Sequence, residues 1–244
     1  MRIGTWNVEY AAGRAKNERR LRRLHAMDCD IWILTETHDD LDLGVGYHAA
    51  RTRQRRTHRA GARWTTIWSR YPIQETLRVE DEDRTVAVNV ASPDGPLLVF
   101  GTVLPWHSDP GPATKAPNWS EFYRVVPQQG AEWAALREAR PGVAICVAGD
   151  FNVNLGGKHY YGTTRGRDML RTALAAAALV CVTETERVPP GLLRHPPIDH
   201  IALSGELADK ATVVGAWEGE DAAGDRLSDH SGVVVEANGW SPRS

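Results

Sequence analysis

The chain has 244 residues, with 29 Lys+Arg against 31 Asp+Glu and a formal net charge of −2. That balance excludes a uniformly basic, histone-like nucleic-acid binder but leaves room for a local basic patch. Apolar residues make up 42% and charged residues 25%, the composition of a soluble globular protein, and a chain this long buries a full core without disulfide or metal staples.

The opening stretch, Met1-Arg2-Ile3-Gly4-Thr5-Trp6-Asn7, reads as a strand rather than a signal peptide. Residues 17–27 predict a helix with Leu21, Leu24 and Met27 on one face and arginines mostly elsewhere. Further helices are expected over 121–139, ended by Pro141-Gly142, and over 167–180. Apolar β-type runs recur at 31–34, 65–68, 85–90, 97–104, 143–148, 198–203, 212–217 and 232–235. Strands outnumber helices and some adjoin through short turns such as Ser92-Pro93-Asp94-Gly95. This pattern predicts mixed sheets with helices outside, in one domain spanning 1–244. Cys29, Cys146 and Cys181 form no CxxC pair and sit in apolar surroundings, as buried reduced thiols do. The longest apolar run, 173–182, is about half a membrane span. A cytoplasmic, membrane-free protein is expected, with a monomer favoured.

Polar residues at strand ends carry the chemical signal. Asn7 ends the first run, Glu36 the second, and Asp150 and Asn152 follow Val147-Ala148-Gly149. Asp199 lies inside the 198–203 run, and Asp229 and His230 precede the last one. Rigid strands delivering carboxylates, amides and imidazoles to loop mouths are how sites are built. Each residue alone reads as a solvated loop position; the ordered set does not.

That order resembles the endonuclease/exonuclease/phosphatase superfamily, which includes DNase I and the exonuclease III-type abasic endonucleases. The motifs are Thr5-Trp6-Asn7-Val8, Leu34-Thr35-Glu36-Thr37, Trp68-Ser69-Arg70-Tyr71-Pro72-Ile73, Gly149-Asp150-Phe151-Asn152, Ile198-Asp199-His200-Ile201 and Ser228-Asp229-His230. The resemblance implies an α+β fold, a four-layer α/β sandwich of two mixed β-sheets packed face to face with helices on both outer sides. It implies a Mg2+-dependent phosphoesterase, with Mn2+ as an alternative ion. Glu36 would be the main metal ligand, with Asn7, Glu9 and Asp229 on the metal side. Asp150 would orient or deprotonate the attacking water, and Asn152 would hold the phosphate. His230 would stabilise the scissile phosphate, with Asp199 fixing its tautomer. Phosphate-ester hydrolysis builds charge on phosphate oxygens, which a hard dication and an imidazolium neutralise. One position departs from the pattern: Val103 falls where the family often keeps a His or Tyr, so either His107 loops back to serve that role or the role is missing.

Other motifs fail. Gly156-Gly157-Lys158 lacks the remaining residues of a P-loop, and no HExxH or zinc-spaced Cys/His set occurs. Arg51, Arg53, Arg55, Arg56, Arg59 and Arg63 form a run without an interleaved acid. It reads either as a solvated loop or as a clamp on a nucleic-acid backbone. Trp106, Trp119, Phe122, Tyr123, Tyr160 and Tyr161 fall in polar, Gly/Pro-rich stretches after the middle strand or after Asp150-Phe151-Asn152. They would either stack on bases or cap a small core of their own, and Tyr160 and Tyr161 lie closest to the Asp150 segment. Nuclease action on DNA or RNA is the leading expectation. The alternatives are another phosphate ester (inositol phosphate, sphingomyelin-type lipid or small nucleotide) and a non-catalytic binding member.

Overall fold

The computed structural model describes residues 1–54, 59–113 and 115–238. The strands are β1 (Arg2–Asn7), β2 (Ile31–His38), β3 (His48–Arg51), β4 (Ala62–Ser69), β5 (Ile73–Leu77), β6 (Val86–Ser92), β7 (Gly95–Val103), β8 (Ala144–Asp150), β9 (Leu179–Cys181), β10 (Asp199–Ser204), β11 (Ala211–Trp217) and β12 (Gly232–Ala237). The helices are α1 (Arg14–Met27), α2 (Ser120–Glu138), α3 (Thr164–Ala176) and the short α4 (Gly205–Asp209).

Two six-stranded sheets form, in the orders β11-β12-β1-β2-β4-β3 and β5-β6-β7-β8-β10-β9. Each is mixed. β1 and β2 run parallel, as do β7 and β8, and the remaining pairs are antiparallel. A parallel pair needs a crossover; α1 supplies it in the first sheet and α2 in the second. The two sheets therefore share one plan, with the parallel pair in the middle.

Period-2 alternation explains the layers. Ile31 and Ile33 of β2 point between the sheets, where they join Val99, Cys146, Ile201 and Val235. Trp32 and Leu34 point outward into a cluster with Leu24 of α1. In the second sheet Leu98, Phe100, Ile145 and Val147 face outward against Trp133 of α2 and Leu170 of α3. Central strands covered on both faces read as continuous apolar runs for this reason. The result is the four-layer α/β sandwich, with helices on both outer sides. The sheets approach closely at Gly101, where an added Cβ would come 2.7 Å from Thr65 Cγ2 and 3.1 Å from Ile33 Cγ2.

Three strands lie outside the apolar runs: β3, β5 and β9. The helix expected over 167–180 is a correction: α3 ends at Ala176, and Leu179–Cys181 pairs with β10 instead. Alanine-rich sequence favours helix, but the Leu179 and Cys181 side chains find burial in the sheet. All three cysteines are buried and free. No helix among the described residues is long and apolar enough to cross a membrane.

Candidate active site

The ends of β1 and β2 in one sheet meet the ends of β7, β8 and β10 in the other. Register sets the level: Asn7 lies opposite Thr35, and Asp150 lies opposite both Val103 and Asp199. Asn7 Nδ2 donates across the seam to Asp150 Oδ2 at 3.1 Å. From the loop before β12, His230 Nδ1–H donates to Asp199 Oδ2 at 2.6 Å, and its Nε2 stands 3.9 Å from Asp150 Oδ2. Asp150 and Asp199 are buried, with relative exposures of 2% and 1%.

Burying two carboxylates around one imidazole shifts all three groups. For Asp150, burial raises the pKa; the His230 charge opposes this, and the charges of Asp199 and Glu36 add to the rise. Asp199 is also raised by burial, against the pull of His230. For His230, burial alone would lower the pKa, but the Asp199 and Asp150 charges and the Asp199 hydrogen bond more than reverse it. The imidazolium is therefore the favoured form at neutral pH, with Nδ1 pinned and Nε2 turned toward Asp150.

Local backbone makes this possible. Gly149 has φ +136°, and a Cβ there would strike the Thr102 carbonyl oxygen. Glu9, Glu36 and Asn152 adopt positive φ (48°, 50° and 51°), a region that L-residues rarely occupy and that clusters at functional sites. The Asn152 N–H donates to Asp150 Oδ1 at 2.9 Å, and its Nδ2 donates to the Leu104 carbonyl at 2.8 Å. Asn152 thus orients Asp150 and ties β7 to β8, which leaves its Oδ1 and second amide proton for other partners.

The His230 loop is held from behind. Ser228 Oγ donates to the Asn7 carbonyl at 2.6 Å and accepts from the His230 N–H at 3.1 Å. Arg20 of α1 is 1% exposed and bonds the Leu227 carbonyl through Nε and Nη2, at 3.0 and 2.7 Å. Burial pushes its pKa down to about 10. The 156–162 loop hangs on buried Asn154. Asn154 Oδ1 accepts from the Tyr160 and Tyr161 N–H groups at 2.9 and 3.0 Å, and its Nδ2 donates to the Gly156 and Lys158 carbonyls. Arg20, Ser228 and Asn154 escaped the sequence reading as supports. One arginine in an arginine-rich helix carries no mark of burial, and neither does an asparagine in a turn.

The chemistry of the donors fits a dication. Asp150 and Asp199 flank the His230 imidazole, and Glu36 is close enough for its charge to act on Asp150, so this end of the seam gathers carboxylate oxygens of the hard kind that a dication takes. Among the described residues, Asp150, Asp199 and His230 are the His/Cys/Asp/Glu group whose ligand atoms all lie within 4.8 Å of one another. His230 Nδ1 and Asp199 Oδ2 are taken up in their short bond, while Asp150 stands 3.9 Å from Nε2. Asn7 Oδ1 already accepts from the Glu9 N–H at 2.9 Å and keeps a second lone pair, so with the Glu36 carboxylate it is a further oxygen that could hold an ion.

The model of the Endonuclease/Exonuclease/phosphatase family matches residues 4–230. The chain belongs to this family. No curated protein matches it by sequence. Among solved structures, a 3'-5' exonuclease from Neisseria meningitidis superposes with TM-score 0.69 at 18% identity, over 98% of this chain and 100% of that one. An AP endonuclease from Archaeoglobus fulgidus gives 0.68 at 16%, with the same coverages. A Neisseria 3' phosphatase bound to a product DNA hairpin gives 0.68 at 18%, again over 98% and 100%. These likenesses share the endonuclease/exonuclease/phosphatase fold.

Within this family member the sequence-derived residues divide. Asn7, Asp150, Asn152, Asp199 and His230 converge, and Glu36 lies near enough for its charge to act on Asp150. Glu9 instead pairs with Lys16 at 3.4 Å and Arg226 at 2.6 Å, and Asp229 is exposed, 3.8 Å from Arg226. His107 is not drawn into the group: it is exposed, its ring packs on Trp119, and its N–H donates to the Tyr161 hydroxyl at 3.4 Å. Val103 is buried at the strand end. Trp119 and Phe122 are buried together, with Tyr161 against Trp119, so this part of the aromatic set caps a core. Arg51 pairs with Asp39 at 3.9 Å and lies over Trp68; Arg53 pairs with Glu82, and Arg63 with Asp39. Folding thus supplies carboxylates that the local sequence lacks. Arg55 and Arg56 lie outside the described residues.

Proposed function

We propose that this family member is a divalent-metal-dependent phosphodiesterase acting on nucleic acid. The observation that carries this reading is the buried Asp150–His230–Asp199 relay at a seam already crowded with negative charge. Glu36, with Asn7 Oδ1, would hold Mg2+ or Mn2+, and the bound ion would neutralise charge building on the phosphate and the leaving oxygen. Asp150, raised by burial and held by Asn7 and Asn152, takes the proton of the attacking water at a carboxylate tuned toward neutral pH. His230 presents Nε2–H to the phosphate, while Asp199 keeps the ring charged and fixed. Asn152 offers its second amide proton to a phosphate oxygen. The Neisseria relative with a product DNA hairpin supports nucleic acid as the substrate class. The free, buried thiols fit the accompanying proposal of a reducing, cytoplasmic compartment.

An activity screen with Mg2+ or Mn2+ tests the reading, over plasmid, single-stranded DNA, RNA, an abasic duplex and a panel of phosphate esters. Cleavage of a nucleic acid that disappears in EDTA and in Glu36→Gln is the expected result. Activity that survives Glu36→Gln in Mg2+ removes the metal assignment, and turnover of only the small esters removes the nucleic-acid assignment.

A further inference from the structure

Next to His230 the surface sinks into a hollow of about 330 Å3, whose lining includes His230, Ser231, Tyr160, His195, Pro196 and Arg194. Tyr160 and Tyr161 are adjacent in sequence but opposite in role. Tyr161 packs into the core against Trp119, whereas Tyr160 is 48% exposed. Exposure does not leave Tyr160 loose. Its N–H is bonded to buried Asn154, and its ring lies flat on the His195 imidazole, with centroids 4.6 Å apart and planes 8° from parallel. Ordering a large aromatic side chain in water costs conformational entropy and leaves apolar area wet.

The charges around the hollow already satisfy one another. Arg194 pairs with Glu220 at 2.7 Å and Glu218 at 3.6 Å, and Arg226 pairs with Glu9 and Asp229. A phosphate meets carboxylates there as readily as guanidinium groups. A neutral, planar, hydrogen-bonding ring meets a flat π-surface and polar edges.

We propose that Tyr160, backed by His195, is a stacking shelf for the nucleobase of the nucleotide beside the scissile phosphate. The shelf rests on the nucleic-acid reading above. The hollow shares His230 with the relay, so a nucleotide whose phosphate meets Nε2 has its base within reach of the shelf. A hollow at the small end of ligand-pocket sizes accepts one ring system, not a base pair. The base must therefore be unpaired or terminal, and contact with its face makes the site tolerant of base identity.

The test compares kcat/KM on an oligonucleotide with kcat/KM on the same strand lacking the base on one side or the other of the cleaved bond. Tyr160→Ala should reduce the intact-to-abasic ratio about tenfold on one side, chiefly through KM, while Tyr160→Phe should keep the ratio within about twofold. A ratio indifferent to Tyr160→Ala, or equally lost in Tyr160→Phe, overturns the shelf. Quenching of a 2-aminopurine oligonucleotide separates this inference from the reading beneath it. If the protein cleaves no nucleic acid yet quenches 2-aminopurine only when Tyr160 is present, the shelf stands and the nuclease reading falls. If quenching is the same in Tyr160→Ala, the shelf falls whatever the enzyme cleaves.

Discussion

Asp199 and His230 form an ion pair in which each partner's charge depends on the other. Because His230 is raised in the folded protein, its protonation stabilises the fold at low pH, and that contribution is lost as pH rises through the folded-state value. In metal-free protein, an NMR titration of the His230 ring should show a pKa well above 6.5, the ordinary histidine value. Asp199→Asn should move it down, and with it the alkaline limb of activity; an unmoved titration would end the relay. His200, one residue from Asp199, behaves oppositely. Its Nε2 donates to the Val153 carbonyl and its Nδ1 accepts from Thr183, and burial lowers its pKa from 6.5 to about 4. The unfolded chain takes up this proton near 6.5 and the folded chain only near 4, so stability should fall as pH drops across that window. Asp150 and Asp199 act in the other direction, so the difference between wild type and His200→Gln in the slope of urea-melt stability against pH isolates the effect. Identical slopes would place the acid sensitivity elsewhere. These roles were only partly legible. Residue type and order marked Asn7, Asp150, Asp199 and His230. Telling Asp199 from its neighbour His200 takes the alternation of side chains on β10, and only the fold shows that His107 packs on Trp119.

Strands and helices repeat that lesson at larger size. The apolar runs revealed the central strands because both of their faces are covered, whereas β3 and β5 are short edge strands with exposed residues and weak patterns. Helix α1 was legible from Leu21, Leu24 and Met27, but its buried Arg20 was not, because its partner is a backbone carbonyl 207 residues away. Arg20→Met should leave the Leu227 carbonyl unbonded and cost about 1–3 kcal/mol in a urea melt. If Arg20 positions the His230 loop, the variant should also lose kcat more than KM; a loss of stability alone would make it structural. Asn154→Ala orphans the Tyr160 and Tyr161 amides and should cost about 2 kcal/mol. Faster hydrogen exchange at those two amides, with β8 still protected, is the expected signature. Unchanged exchange would show that the loop is held by other contacts.

On the scale of the whole molecule, neither sheet contains the site. Asn7, Glu36 and His230 come from the first, and Asp150, Asn152 and Asp199 from the second. Their spacing depends on the packing between sheets, and Gly101 is a point of close approach. Gly101→Val should force side chains into Thr65 and Ile33, destabilise the fold by about 1–3 kcal/mol, and lower activity in the fraction that remains folded. Full specific activity in that fraction would mean that the seam tolerates such a shift. The Asn7–Asp150 and Asp199–His230 bonds act as clips between the two halves, so any ion or molecule that settles in the seam binds the folded chain and not the unfolded one. Such binding raises the unfolding temperature in proportion to the logarithm of concentration. The protein is therefore its own thermometer for what it recognises. Metal ions, nucleotides and phosphate esters can be ranked by how far each delays melting, before a single bond has been cut.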